Sequence, residues 1–209
     1  MRVAELSKRT GVAVPTIKYY LREGLLPPGE LTSPNQARYG DEHVRRLKLV
    51  RALIDVGGLS IAAVRDVLET MADSDESMYE VLGTVQRNLA ADLPAGDGEA
   101  HEKASRIAYE LIERREWQVK TGAPQLEVLT AALATLVELQ GEDLLELLDA
   151  YAEASERIAE VDIDYTRRGD GRAGAVERMV IGTVVGDAIL SALRRLAHEN
   201  EAARRLRSG

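Results

Sequence analysis

The chain has 209 residues, 45% hydrophobic and 30% charged, with a formal net charge of −8; this is ordinary folded composition, with room for a small N-terminal module and a larger second one, and far from the signature of disorder. It contains no cysteine, which excludes disulfides, thiolate metal sites and cysteine nucleophiles. The most apolar run, residues 179–190, is too short to span a bilayer and contains Asp187, and residues 1–8 hold no apolar signal core, so a soluble cytoplasmic protein without membrane attachment is expected.

Leu6, Val14, Ile17 and Leu21 recur at helical spacing, interrupted at Thr10-Gly11-Val12, which predicts a helix, a tight turn and a second helix ending at Glu23-Gly24. Pro27, Pro28, Gly29, Pro34 and Gly40 forbid helix over 27–40, leaving a loop or hairpin. A third helix starts at Asp41 and stops at Gly57-Gly58; Ser60 caps a fourth carrying Ile61, Val64, Val67 and Leu68. The acidic stretch Asp73-Ser74-Asp75-Glu76 marks a boundary. Beyond it a short helix is predicted over 77–89, a break at Pro94, Gly96 and Gly98, and a helix with Ile107, Leu111, Ile112 and Trp117 reaching Thr121-Gly122. Two more follow, one opened by Pro124 and closed by Gly141 and one carrying Leu144 to Val161, before a long last helix over 173–206. The expected fold class is predominantly all-α.

Charge is unevenly spread along these elements. Residues 2–51 hold ten Lys/Arg against five Asp/Glu, a balance of +5, which leaves −13 for the remainder. A basic head on an acidic body is what a DNA-binding module joined to another domain would show, although a solvated charged face looks the same on charge alone. On the second helix Lys18 and Arg22 are four apart and share a face with Tyr19 beside them. Lys18 could donate to guanine O6/N7 or to a phosphate, and the tyrosine hydroxyls could reach phosphates or base edges. An amphipathic helix in a small bundle is the plainer alternative.

The strings Thr16-Ile17-Lys18-Tyr19-Tyr20 and Glu23-Gly24-Leu25-Leu26-Pro27 resemble the recognition helix of MerR-family transcription regulators. Arg38-Tyr39, Asp41-Glu42, Arg45-Arg46-Leu47 and Leu59-Ser60 extend the resemblance, in order and spacing, to about residue 70. It implies an N-terminal winged helix-turn-helix with a small β wing at 27–40 gripping the DNA backbone, and DNA-binding residues Thr16, Lys18, Tyr19, Tyr20, Arg22, Arg38 and Tyr39. It further implies a homodimer on pseudo-palindromic double-stranded promoter DNA that bends an over-long promoter spacer, so that RNA polymerase is engaged indirectly. Three positions depart from the family pattern. Lys18 replaces the usual arginine and lacks its planar fork; Gln36-Ala37 stands where a tyrosine-arginine pair is usual, with Arg38 one place later; Ala13 lacks a capping hydroxyl, for which Pro15 compensates by presetting φ.

The predicted domains are 1–72 (DNA-binding), 73–98 (short helix and linker) and 99–209 (all-helical, dimerising and effector-sensing). The family's long dimerising helix has no counterpart here, because 77–89 is short and lacks sustained heptads. Dimerisation is therefore expected on the last helix, at Val180, Gly182, Val184 and Gly186, where small residues four apart allow close approach. Several patterns carry no chemistry. Gly169-Asp170-Gly171-Arg172-Ala173-Gly174 satisfies GxGxxG without the flanking strands a dinucleotide site needs, and reads as an interhelical loop. His43, His101 and His198 show no metal spacing and read as surface residues, and Trp117 reads as core. No catalytic constellation appears, so no enzyme, cofactor or metal site is expected. A small organic effector is the default signal; an architectural, excisionase-like DNA-binding protein without an effector is the rival reading.

Overall fold

The computed structural model describes residues 1–33, 36–73, 75–90, 96–168 and 171–206. Pro34, Ser74, Pro94 and the Gly169-Asp170 pair, on which breaks and a loop were expected, lie outside the described residues. The chain divides into two compact units, 1–85 with 169–209, and 86–168.

In the first unit, α1 (Val3–Thr10) ends at Gly11, whose left-handed φ of 72° lets its N–H return to the Ser7 carbonyl. α2 (Val14–Arg22) follows at once. An antiparallel hairpin of β1 (Glu30–Ser33) and β2 (Gln36–Arg38) pairs Glu30 with Arg38 and Leu31 with Ala37. α3 (Asp41–Arg51) turns Val44, Leu47, Leu49 and Val50 inward and runs into a π-helical turn, Ala52–Val56. α4 (Ile61–Ala72) is capped by the Ser60 hydroxyl, which accepts from the Ala63 N–H at 3.2 Å. α5 (Met78–Leu89) buries Val81, Thr84 and Val85 and reaches the division between the units.

The last helix, α9 (Gly171–Leu206), belongs to this first unit and packs on the π-helical turn and α4. Residues 99–209 therefore do not form the contiguous domain expected of them, because Val176, Met179, Val180 and Val184 on α9 are spent in the core of the N-terminal unit. Burying each such side chain contributes about 1.5–3 kcal/mol. The same burial corrects part of the expected dimer surface: Val180 and Val184 are 0% and 2% exposed within one chain and have no face left for a second. Arg172 fixes the start of α9 by donating to the Asp73 carbonyl at 3.0 Å and to the Glu76 carbonyl.

The second unit is built on a hairpin of α6 (Gly98–Arg114) and α7 (Pro124–Glu138), whose core combines Ala104 and Ala108 with Leu126, Leu133 and Ala134. A 3₁₀ turn (Glu142–Leu147) leads into α8 (Leu148–Thr166). α6 stops well before the expected Thr121-Gly122, since Glu116 turns left-handed (φ 55°) and the Trp117 N–H closes on the Ile112 carbonyl at 3.0 Å. Trp117 is accordingly half-buried in a loop instead of core, with its indole N–H donating to Glu156 at 2.8 Å.

Candidate nucleic-acid interface

The two sides of α2 differ because Ile17 and Tyr20, three apart, define its inner face. Ile17 is 0% and Tyr20 7% exposed, while Lys18 and Arg22 lie fully on the surface and Thr16 and Tyr19 are half-buried at its edges. The start of the helix matches expectation: Ala13 is extended and caps nothing with its side chain, and Pro15 occupies the first turn. The Arg22 guanidinium sits 5.9 Å from the Tyr19 ring centroid, a cation–π contact that holds the arginine on the outer face.

Two expected contact residues are largely buried. Tyr20 and Tyr39 are 7% and 8% exposed, so their rings belong mainly to the core, with Tyr39 also reaching the wall of the cleft beside Lys18. Burial, helped by Asp55, pushes the Tyr20 phenol above its ordinary range. Tyr39 binds the first residue through its backbone, its N–H donating to the Met1 carbonyl and its carbonyl accepting from the Met1 amine, both at 2.9 Å. His43, expected on the surface, is half-buried: its Nδ1 accepts the Gly40 N–H at 3.1 Å at the start of α3, and its ring meets Tyr39 edge-on at 5.1 Å.

The hairpin carries Arg38, exposed and opposite Glu30. A cleft of about 450 Å³ lies between the hairpin and the recognition helix, lined by Arg2, Lys18, Leu31, Gln36, Ala37 and Tyr39 among others. Arg2 was not singled out from sequence. It donates to the Gln36 side chain at 2.9 Å and shares the cleft with Lys18 as a second cation; its signal was a basic residue ahead of α1, which periodicity does not rank. Two further arginines set the angle at which the hairpin leaves α2. Arg65 grips Glu23 at its carbonyl (2.9 Å) and carboxylate (2.7 Å), and Arg46 donates from Nε to the Leu25 carbonyl at 3.1 Å.

A helix-turn-helix whose second helix presents cations outward, with a two-stranded wing beside it, defines a winged helix-turn-helix DNA-binding protein. The description of the MerR HTH family of regulatory proteins matches residues 1–71. The crystal structure of a protein designated a transcriptional regulator, SCO5550 of Streptomyces coelicolor A3(2), superposes with a TM-score of 0.76 at 38% identity, covering 98% of this chain and 97% of that one. The "HTH-type transcriptional regulator ZntR homolog" of Haemophilus influenzae is 29% identical over 129 residues, 62% of this chain and 91% of its own. "Heavy metal-dependent transcription regulator 2" of Rhizobium meliloti is 30% identical over 90 residues, 43% of this chain and 60% of its own. Residues 1–71 are a MerR-family helix-turn-helix domain, and the chain is a DNA-binding transcription regulator.

Proposed function

We propose that the chain works as a homodimer on pseudo-palindromic promoter DNA, with the outer face of α9 as the dimer seam and a small organic molecule as its signal. The observation that carries the dimer is a heptad run on α9: Gly182, Gly186, Ile189, Leu193, Leu196, Asn200 and Ala203 follow one another at spacings of four and three. At 100° per residue this stripe lies roughly opposite Val176, Val180 and Val184, which face the chain's own core. Ile189, Leu193 and Leu196 are 55%, 57% and 61% exposed, and a Cβ on Gly186 would meet nothing within 4 Å. Val81 and Val85 on α5 are already buried within the chain.

An antiparallel pairing centred between Leu193 and Leu196 would set the two Val180 positions about 43 Å apart along the helix at roughly 1.5 Å per residue. That is of the order of the ~34 Å between half-sites on one face of B-DNA. Lys18, Arg22, Tyr19, Thr16, Arg38 and Arg2 then meet DNA, and polymerase is engaged through the shape of the promoter. The relative named as heavy metal-dependent does not pass that chemistry on unchanged, because this chain has no cysteine for thiolate ligation.

Sedimentation velocity of the Leu193→Glu/Leu196→Glu variant tests the seam. Both residues are exposed within one chain, so folding should survive. Monomers with intact helicity and lost DNA binding are expected; a variant that stays dimeric would place the interface elsewhere.

A further inference from the structure

The first unit contains a second cavity, away from the DNA-facing surface, between the exit of α2, the start of α3 and the first turns of α9. It measures about 420 Å³, and its apolar lining includes Pro27, Leu49, Met71 and Val176. We infer that this cavity is a binding site for a small organic carboxylate, held by Arg46 and sandwiched between α9 and the turn that launches the wing. This rests on the reading of the chain as an effector-controlled regulator and supplies the effector's chemical class and position.

Arg46 is the group that calls for an anion. It is half-buried, and among the described residues its one hydrogen bond runs from Nε to the Leu25 carbonyl, leaving the four terminal N–H donors of the guanidinium without an internal acceptor. Burial lowers the pKa of the Arg46 guanidinium, and the nearby Glu42 carboxylate opposes that effect. A carboxylate would supply the planar, bidentate partner that a guanidinium favours. Two carboxylates also line the cavity, Glu42 and Glu177, against two guanidiniums, Arg45 and Arg46. Arg45 faces Glu177 at 4.0 Å, and no hydrogen bond ties Glu42 to Arg46 among the described residues, so the terminal N–H groups of Arg46 stay open to a ligand. The apolar remainder of the lining fits a hydrocarbon body, giving an amphipathic acid instead of an inorganic anion.

The position explains how occupancy would reach DNA. Gly24 and Pro27 line the cavity and flank Leu25, whose carbonyl Arg46 holds. A ligand that engages Arg46 therefore acts on the bond that fixes the wing relative to the recognition helix. The other wall, Ala173 and Val176, belongs to the helix whose far end carries the proposed dimer seam. One small molecule would thus touch both determinants of half-site geometry.

The test uses the full-length chain and a matched series of probes: butyrate, hexanoate, octanoate, benzoate and phenylacetate, each beside the alcohol and the amine of the same carbon skeleton. Calorimetric titration should find at least one acid that binds tenfold or more tightly than its alcohol and its amine. Arg46→Met should remove that advantage, and Ala173→Leu, at an exposed position that narrows the cavity without touching Arg46, should weaken binding as well. No acid exceeding its matched alcohol, or an acid preference surviving in both variants, would overturn the site. Operator affinity separates the two layers: a change caused by the acid and absent in Ala173→Leu supports both. An acid that binds as described yet leaves operator affinity unchanged would sink the effector reading and keep the site.

Discussion

Gly57 stands where α9 crosses the head, and replacing it by alanine isolates the packing of that crossing. The residue is right-handed helical, φ −77° and ψ −15°, so alanine meets no backbone penalty and the whole effect is steric. A Cβ there would overlap the Cγ1 of Val184 and stand 2.7 Å from the Leu53 carbonyl and 2.9 Å from Leu59 Cδ1. Val184 and Leu59 could yield by small rotations; the Leu53 carbonyl is backbone in the π-helical turn and could not. Overpacking of this kind costs about 1–3 kcal/mol. Taking ~2 kcal/mol, the opening equilibrium rises about thirtyfold. Hydrogen exchange read on peptides covering 52–59 and 179–186 should accelerate by that factor while α6 and α7 keep their protection. In a Val184→Ala background, which by itself costs about 1.5 kcal/mol in lost methyl groups, the Gly57→Ala penalty should shrink but not vanish. Unchanged protection in Gly57→Ala would refute the docking of α9 at this turn.

Lys18→Ala should lower the slope of log K against log salt by about one on any duplex if the lysine contacts phosphate; an unchanged slope with relaxed preference at one base pair would make it a base reader. Gln140 ends α7 in a left-handed conformation, φ 56°, so Gln140→Gly should stabilise the second unit by about 0.5–1 kcal/mol. Trp117, the single tryptophan, reports this as a raised urea midpoint, and a lowered midpoint would contradict it. Asp149 is held below its ordinary value of 3.8 by hydrogen bonds from Arg114 and then Arg115. A depressed carboxylate stabilises the fold above its unfolded value and loses that contribution as pH falls through the folded one. The thermal midpoint of wild type should therefore fall between pH 4 and lower pH more steeply than that of Asp149→Asn; parallel curves would count against the clasp.

What sequence made legible was local. Lys18 and Arg22 share a face by spacing alone, and the capping Ser60 and the left-handed Gly11 were visible as residue types at element ends. Adjacent Tyr19 and Tyr20 could not both point outward, since successive helical residues diverge by about 100°; Ile17 three residues earlier was the available signal that Tyr20 turns inward. Tyr39 follows a three-residue strand, too short for alternation to assign its side. The placement of α9 is a long-range fact. Its apolar residues promise burial, but nothing in their spacing says whether they meet the head or the helices before them, and the reciprocal signal was a single small residue, Gly57, read as a helix stop. The heptad from Gly182 to Ala203 was present in the sequence and was hidden by the nearly continuous apolar run over 179–185, in which a period is hard to see. The π-helical turn has no local signature in the sequence.

The most direct test of the account is selection of binding sites from a random duplex pool by the full-length chain, run beside the Lys18→Ala/Arg22→Ala variant and the Leu193→Glu/Leu196→Glu variant. A pseudo-palindromic consensus whose half-sites lie about one helical turn apart is expected, lost when the α2 cations are removed and reduced to unlinked, weak half-sites when the seam is broken. A single undivided site, or the same palindrome enriched by the seam variant, would contradict it.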